Sequence, residues 1–536
     1  MKANNNRWLL TGCCALLTII WFILASKTFN TKPDLNGDNF SYYIYATSLA
    51  TGHGYSDLSH PSMGPTSNFP PGYPLLMAPL RVMTDSIVAQ KWLNELFVLG
   101  GILLLFFTMI QLGLRWDISL AASAAGLFCP RLWHFSTMMM SEASFFFTSA
   151  LVFYALARLY AGKEEDKEPI SWRSELRSPW LWVMICMLVL NYHIRTQGLA
   201  LVAGVGLLLL VRRRWVALLT TAAGFVIGCL PYMLRNKLLG LNGNRYIDTI
   251  MLSNPFQPDA GTLTISEVIG RFFQTLKMLV FNAIPNTIFP YIDVNCDNPE
   301  YSLGVYVTGA IVLAVILIGY WRTDRLRWGL MGYLAATLGL ISIFSTPSGN
   351  RYITSVLPLL AAGLLCGVWQ IAEWICHKHP KVLFPGVALL LCLTFIGAKE
   401  GIESEVQQAK QKYPPQYVQF FSLGKQLKKI APEGSVVCSR KPQMFWMQSG
   451  LPGVNYKYTK DAKELILDLA DKKVDYVVLD ALGYSSTYLY LFPAVQQYQQ
   501  YFPEMVAHYE NTHTYLLRFD RERAARELRD NATQTE

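Results

Sequence analysis

Long apolar runs separated by short polar connections fill roughly the first three quarters of the chain. Runs of about 18 or more residues with few charges read as helices crossing a lipid bilayer. About eleven such spans are predicted, at 8–26, 93–110, 118–130, 139–160, 180–191, 199–211, 216–234, 304–321, 328–345, 353–375 and 382–398. Those at 118–130, 180–191 and 199–211 are short for a crossing of about 20 residues. Two connections are long: 27–92, rich in Tyr, Gly and Pro, and 235–303, whose apolar piece 276–289 reads as lying on the membrane or re-entering it. From 399 onward the pattern turns polar and charged. Short apolar strands are predicted at 434–438 and 474–479, with a helix over 462–470 capped by Asp461. The expected fold is a polytopic α-helical membrane protein with a small C-terminal α/β extracytoplasmic domain. Its parts are a transmembrane unit over 1–398, a soluble unit over 399–520 and a flexible tail over 521–536.

Composition supports this reading. Of the 536 residues 52% are hydrophobic and 15% charged, against roughly 25% charged in soluble domains. The net charge of +9 comes largely from loop lysines and arginines. With the N-terminus inside, the inner loops collect Lys2 and Arg7, Arg115, the basic residues of 158–177, Arg212, Arg213 and Arg214, Arg322, Arg325 and Arg327, and Lys378 and Lys381. That bias satisfies the positive-inside rule, and an odd number of crossings then puts the C-terminal part outside. No soluble surface interleaves basic and aromatic residues, which argues against nucleic acid. The first apolar run, long and bulky with no small-x-small cleavage site, reads as an uncleaved span. Most of the ten cysteines, among them Cys13, Cys14, Cys186, Cys229, Cys366 and Cys392, fall in apolar segments as small hydrophobes. Cys296 and Cys438 fall in outer segments, where a disulfide between them is open.

Candidate chemistry gathers at one level of this map. Asp38 lies early in the first outer loop. Glu142 opens the fourth span at its outer end. Arg195 occupies the turn between spans five and six, and Arg351 the turn before span ten. Ionisable residues at membrane depth face a cavity or a partner. Guanidinium forks bind phosphate oxygens, and a carboxylate can act as general base. A second carboxylate can orient the first, hold an acceptor or share a divalent ion. Each also has a structural reading: Asp38 as a turn residue, Glu142 as a helix-start anion, the arginines as interface anchors. His53, in Gly52-His53-Gly54-Tyr55, is a substrate contact or a turn residue. Arg235 reads as an interface residue, and Asp475 and Asp480 as turn or edge residues.

The order of these pieces resembles the GT-C superfamily of membrane glycosyltransferases, in the branch of bacterial aminoarabinose transferases and protein O-mannosyltransferases. The matching pieces begin with Gly37-Asp38-Asn39-Phe40-Ser41-Tyr42, Ala50-Thr51-Gly52-His53-Gly54-Tyr55 and Phe69-Pro70-Pro71-Gly72-Tyr73-Pro74-Leu75-Leu76. Ser141-Glu142, the Arg195 turn, Arg235-Asn236, and Arg351-Tyr352 followed by Pro358 continue the order. The resemblance covers roughly the membrane part and implies a polyprenyl-phosphate-linked sugar donor, used on the outer side of the plasma (inner) membrane. It implies Asp38 as catalytic base and Glu142 as the second acid, although many relatives carry Asp there. Arg195 and Arg351 become phosphate contacts, with Tyr352 and His53 lining the substrate. The acceptor would be a lipid, glycan or protein, and a single displacement would invert the anomeric carbon. No motif demands a cofactor, and a divalent metal stays open. Two other readings are a multi-pass transporter or lipid flippase, and an assembly or sensing protein whose tail binds.

Overall fold

The computed structural model describes residues 2–35, 37–160, 171–241, 250–253, 261–289, 300–344, 349–376 and 383–533. Its principal helices are α1 (Lys2–Thr28), α2 (Gly37–Ala50), α3 (Gly72–Met83), α4 (Ile87–Gln111), α5 (Trp116–Leu127), α6 (Pro130–Ser136) and α7 (Glu142–Leu159). They continue with α8 (Pro179–Ile194), α9 (Gly198–Val211), α10 (Trp215–Leu238), α11 (Ile265–Met278), α12 (Leu303–Arg322), α13 (Arg327–Ile343), α14 (Gly349–Thr354), α15 (Leu357–Ile375) and α16 (Leu383–Lys410). Among the described residues, six helices are long and apolar enough to cross a bilayer: Arg7–Thr28, α4, α7, α10, α12 and α15. The shorter α8 and α9 are apolar as well. The predicted spans 118–130, 328–345 and 382–398 coincide with α5, α13 and α16.

A bundle in lipid lacks the hydrophobic drive that packs soluble helices, so close approach of backbones carries more of its stability. The pairing of α12 with α15 illustrates this. Gly363 and Gly367 are four residues apart on α15 and face Gly319 and Val315 of α12. A Cβ on Gly367 would collide with the Val315 carbonyl, and one on Gly319 with the Gly363 carbonyl. Around such contacts a continuous apolar core forms, with Phe106, Phe145, Phe146, Trp133 and Leu357 fully buried.

The apolar piece 276–289, expected to lie on the membrane or re-enter it, packs inward. After α11 the chain widens into a π-turn (Leu279–Ala283) and a short helix (Ile284–Ile288). Leu279, Ala283 and Ile284 are buried in the main core, and the backbone of Phe281 closes on Gly309 of α12.

The helix over the last predicted span does not end where composition shifts: α16 runs unbroken for 28 residues through position 399. Beyond it come α17 (Pro415–Ile430), β1 (Val437–Cys438), α18 (Pro442–Ser449), β2 (Gly453–Val454), α19 (Ala462–Asp471), β3 (Tyr476–Leu479), β4 (Glu504–Tyr509) and β5 (Thr514–Arg518). The strands form one sheet ordered β2-β1-β3-β5-β4. Its first three are parallel, and β5 runs antiparallel to both its neighbours. The Asp461 carboxylate caps α19 by accepting from Glu464 N at 3.1 Å. The terminal segment expected as a flexible tail is instead a helix, Arg521–Thr533, because Ala524 and Leu528 supply an apolar edge buried in the core of this region. Cys438 is a free thiol buried in β1, and Cys296 lies outside the described residues. Asp480, expected as a turn or edge residue, sits at the turn after β3, where its Oδ1 accepts from Leu482 N at 3.3 Å; it is 3% exposed, and burial pushes its carboxyl up to about 6.

The two regions are joined by packing. Phe40 of α2 is buried in one apolar cluster with Phe420, Phe445, Val437 and Leu516 of the C-terminal region. The backbone N–H of Gly453 donates to Ser59 O at 2.7 Å.

Two outcomes follow. Gly367→Val should abolish recovery of folded protein in mild detergent, whereas Gly206→Val, with open space beside it, should be tolerated; size-exclusion yield reads both. Asp480 binds its proton more tightly folded than unfolded. The stability this proton confers is complete below about pH 4 and lost as pH rises through about 6. Charging it at pH 7 therefore costs on the order of 3 kcal/mol. Asp480→Asn should raise the melting temperature of the C-terminal region at pH 7 and flatten its fall between pH 5 and 7.

Candidate active site

Both acids sit where a helix begins. Asp38 is in the first turn of α2, and Glu142 is the first residue of α7. Unsatisfied N–H groups and the positive end of the helix dipole favour an ionised carboxylate at each place. Arg195 caps the opposite polarity: it follows α8 in extended conformation and its N–H donates to Asn191 O. Arg351 is carried by α14, ahead of α15.

These four side chains, far apart in sequence, meet. Arg351 Nη2 donates to Asp38 Oδ2 at 2.9 Å and its Nε donates to Glu142 Oε1 at 3.1 Å. Arg195 Nη1 reaches the same Glu142 oxygen at 2.8 Å and donates to Ser141 Oγ at 3.1 Å. Glu142 is 2% exposed, Asp38 29%. The cluster therefore grades from a buried acid to one that water can reach. Burial pulls the Arg351 guanidinium down, but the Glu142 and Asp38 carboxylates outweigh it and hold its pKa above the usual arginine value. Two acids and two guanidiniums leave the group formally neutral.

The surrounding chain fixes this geometry. A Cβ on Gly72 would stand 2.6 Å from the backbone of His193 and Ile194, so only glycine lets α3 close on the turn that presents Arg195. This is the structural use of Pro70-Pro71-Gly72-Tyr73. Next to it, Tyr73 Oη donates to Asn94 Oδ1 at 3.0 Å. Asn94 Nδ2 donates in turn to the carbonyls of Met138 and Met140, just before Glu142. Asn39, the neighbour of Asp38, accepts from Met139 N at 2.7 Å, tying the two acid-bearing helices together. Lys91 holds the approach to Asp38 through the carbonyls of Asn30 and Lys32.

These supports were missed in the sequence. Gln90, Lys91, Asn94 and Glu95 are all buried on one face of α4. Their spacing of one and four residues, at the edge of an apolar run, is the signal that could have found them.

Tyr352 belongs to the cluster through its ring, 5.5 Å from the Arg195 guanidinium, and it stacks on Phe344. His53 is not brought to it: the imidazole is exposed and its Nδ1 pairs with Thr51 Oγ1 at 2.9 Å. Arg235 bonds the carbonyls of Tyr55 and Thr66, pinning the loop after α2. Among the described residues no three His, Cys, Asp or Glu side chains gather to hold a metal. A divalent ion shared by Asp38 and Glu142 does not fit this donor set, because Arg351 occupies the position between them.

No protein-family model and no curated protein sequence matches the chain. Solved structures do. ArnT from Cupriavidus metallidurans bound to undecaprenyl phosphate superposes with a TM-score of 0.57 at 11% identity, over 95% of this chain and 98% of that one. The Archaeoglobus fulgidus oligosaccharyltransferase tethered with an acceptor peptide gives 0.55 at 12% identity, over 94% of this chain and 74% of that one. The chain shares the fold of these two enzymes. The likeness extends through the C-terminal region, since nearly all of this chain is covered.

Because the buried Glu142 neutralises two partly buried cations, Glu142→Gln should cost about 3–5 kcal/mol, read as a large drop in melting temperature. Asp38→Asn should cost far less, since Arg351 keeps Glu142 and the Asp38 site is open to water.

Proposed function

We propose that this protein is a glycosyltransferase that moves a sugar from a polyprenyl-phosphate-linked donor to an acceptor at the outer face of the plasma (inner) membrane. The N-terminus would be cytoplasmic and the C-terminal region extracytoplasmic, with α1, α4, α5, α7, α8, α9, α10, α12, α13, α15 and α16 as the crossings. The observation that carries the reading is the single guanidinium of Arg351 linking Asp38 to Glu142, with Arg195 on the same oxygen. A neutral, partly buried group of two acids and two arginines matches the needs of displacement at an anomeric carbon. One acid must take a proton and the cations must meet a departing phosphate.

Asp38, the more open acid, accepts the proton of the acceptor hydroxyl or amine. The acceptor atom bonds the anomeric carbon as the bond to the phosphate oxygen breaks, and the lipid phosphate leaves with that electron pair. This single displacement inverts the carbon. Arg351 and Arg195 neutralise the charge on the leaving phosphate, an electrostatic contribution of the kind that dominates many active sites. Glu142 keeps both arginines in place before the donor arrives, and Tyr352 braces Arg195. The fold likeness to a protein bound to undecaprenyl phosphate supports a lipid-linked donor.

The purified chain, given a panel of undecaprenyl-phosphate sugars, should release undecaprenyl phosphate. Asp38→Asn should slow that release by about a hundredfold or more, with donor binding and melting temperature retained. Full transfer by Asp38→Asn would remove the residue from its role.

A further inference from the structure

Three tryptophans mark a level on the bundle. Trp116, Trp321 and Trp374 are all exposed, and the exposed tryptophans of a membrane protein gather where acyl chains give way to headgroups. Each has a charged neighbour in sequence: Arg115, Arg322 and Glu373. This level lies at the opposite end of the bundle from the acids. Near its start α4 holds the chain that leads to Asp38, through Lys91, and α15 follows Arg351. Their far ends therefore carry Arg115 and Glu373 away from that site.

A cleft of about 220 Å³ opens there, between the turn after α4 and the last turns of α12 and α15. Arg115, Arg322, Trp369 and Glu373 line it together with Leu112 and Cys366. An apolar crevice shares Leu112 and Cys366 and continues along α15 from Cys366 to Leu359, past Leu105 and Phe153. That is about two helical turns. On its other side Arg322 borders a second groove, of about 390 Å³, with Ile318, Trp321 and Gln370. Arg322 thus stands at a fork between two tracks.

The charges at the fork are of both signs. Arg322 Nη2 lies 3.2 Å from Glu373 Oε2, and both side chains stay open, 47% and 38% exposed. Arg115 donates from Nε and Nη2 to Asp117, which leaves three of its five N–H donors, and its guanidinium lies 5.4 Å from the Trp369 ring centroid. Two guanidiniums and two carboxylates leave the place formally neutral. A purely anionic headgroup would set a second negative charge beside Glu373. A phosphate joined to an ammonium meets both signs: guanidinium N–H groups take phosphate oxygens, and the carboxylate takes the ammonium.

We infer that this fork binds a zwitterionic phospholipid with a primary ammonium, phosphatidylethanolamine. Its phosphate lies on Arg322 and Arg115, its ammonium donates to Glu373, and one acyl chain enters the crevice beside α15. The fork shares no residue with the acid–arginine cluster, so this inference stands apart from the transferase reading.

The test is native mass spectrometry of the full chain released from nanodiscs. These hold phosphatidylethanolamine, phosphatidylcholine and phosphatidylglycerol in equal parts, with matched acyl chains. Phosphatidylethanolamine should be retained about fivefold or more over each of the others, in line with the worth of one exposed ion pair. Phosphatidylcholine loses because its trimethylated ammonium has no hydrogen to donate, and phosphatidylglycerol because it has no cation. Glu373→Gln should bring phosphatidylethanolamine down to the level of phosphatidylcholine. Arg322→Gln should lower retention of both, and Glu373→Gln serves alone if that variant does not fold. Arg158→Gln removes a guanidinium that lies over the Trp180 ring, outside the fork, and should change nothing. Equal retention of the three lipids, or a preference for either of the other two, overturns the assignment. So does a preference for phosphatidylethanolamine that survives Glu373→Gln or that is lost with Arg158→Gln.

Discussion

One guanidinium that must satisfy two acids at once organises this molecule. Charged groups of this kind are stable away from bulk water only when each meets an opposite partner with good geometry. Arg351 meets Asp38 and Glu142, and Glu142 also meets Arg195. Because these groups come from four separate stretches of chain, α2, α7, the end of α8 and α14 cannot drift apart without exposing an unpaired charge. The glycine at position 72 and the bonds of Asn94 and Asn39 hold the backbone at the distance this pairing needs. Chemistry and architecture share the same contacts here.

The helices were readable because lipid imposes a simple code: every backbone group must be satisfied within its own segment, so spans announce themselves as apolar runs. Asp38, Glu142, Arg195 and Arg351 stood out for the same reason, being ionisable groups at the edges of such runs. What pattern could not convey is pairing. Nothing in the sequence distinguishes an arginine that waits for phosphate from one that already holds two carboxylates. Likewise the segment 276–289 is apolar whether it lies on lipid or inside the bundle, and only its contact with Gly309 decides. Arg521–Thr533 looked too charged to order, since two apolar residues, Ala524 and Leu528, are a weak signal without knowledge of the surface they meet. His53 sits in a conspicuous glycine-flanked turn yet faces solvent, which shows that turn chemistry and site chemistry write similar strings.

The C-terminal sheet is small, but its burial of Phe40 joins it to the element that carries Asp38. An apolar side chain of this size buried at the centre of a contact contributes about 2–3 kcal/mol, enough to keep two regions of modest size in register. The sheet is thus part of the wall around the acids.

The unbroken helix α16 has a mechanical consequence. Its 28 residues give a rod of about 42 Å, longer than the roughly 30 Å hydrocarbon core of a bilayer. Its far end is clasped to the stretch leading into Asp38: Lys32 Nζ donates to Ala409 O at 2.8 Å and Tyr413 Oη to Pro33 O at 2.5 Å. Through those two clasps, any tilt of the rod is carried to the stretch that leads into α2 and Asp38.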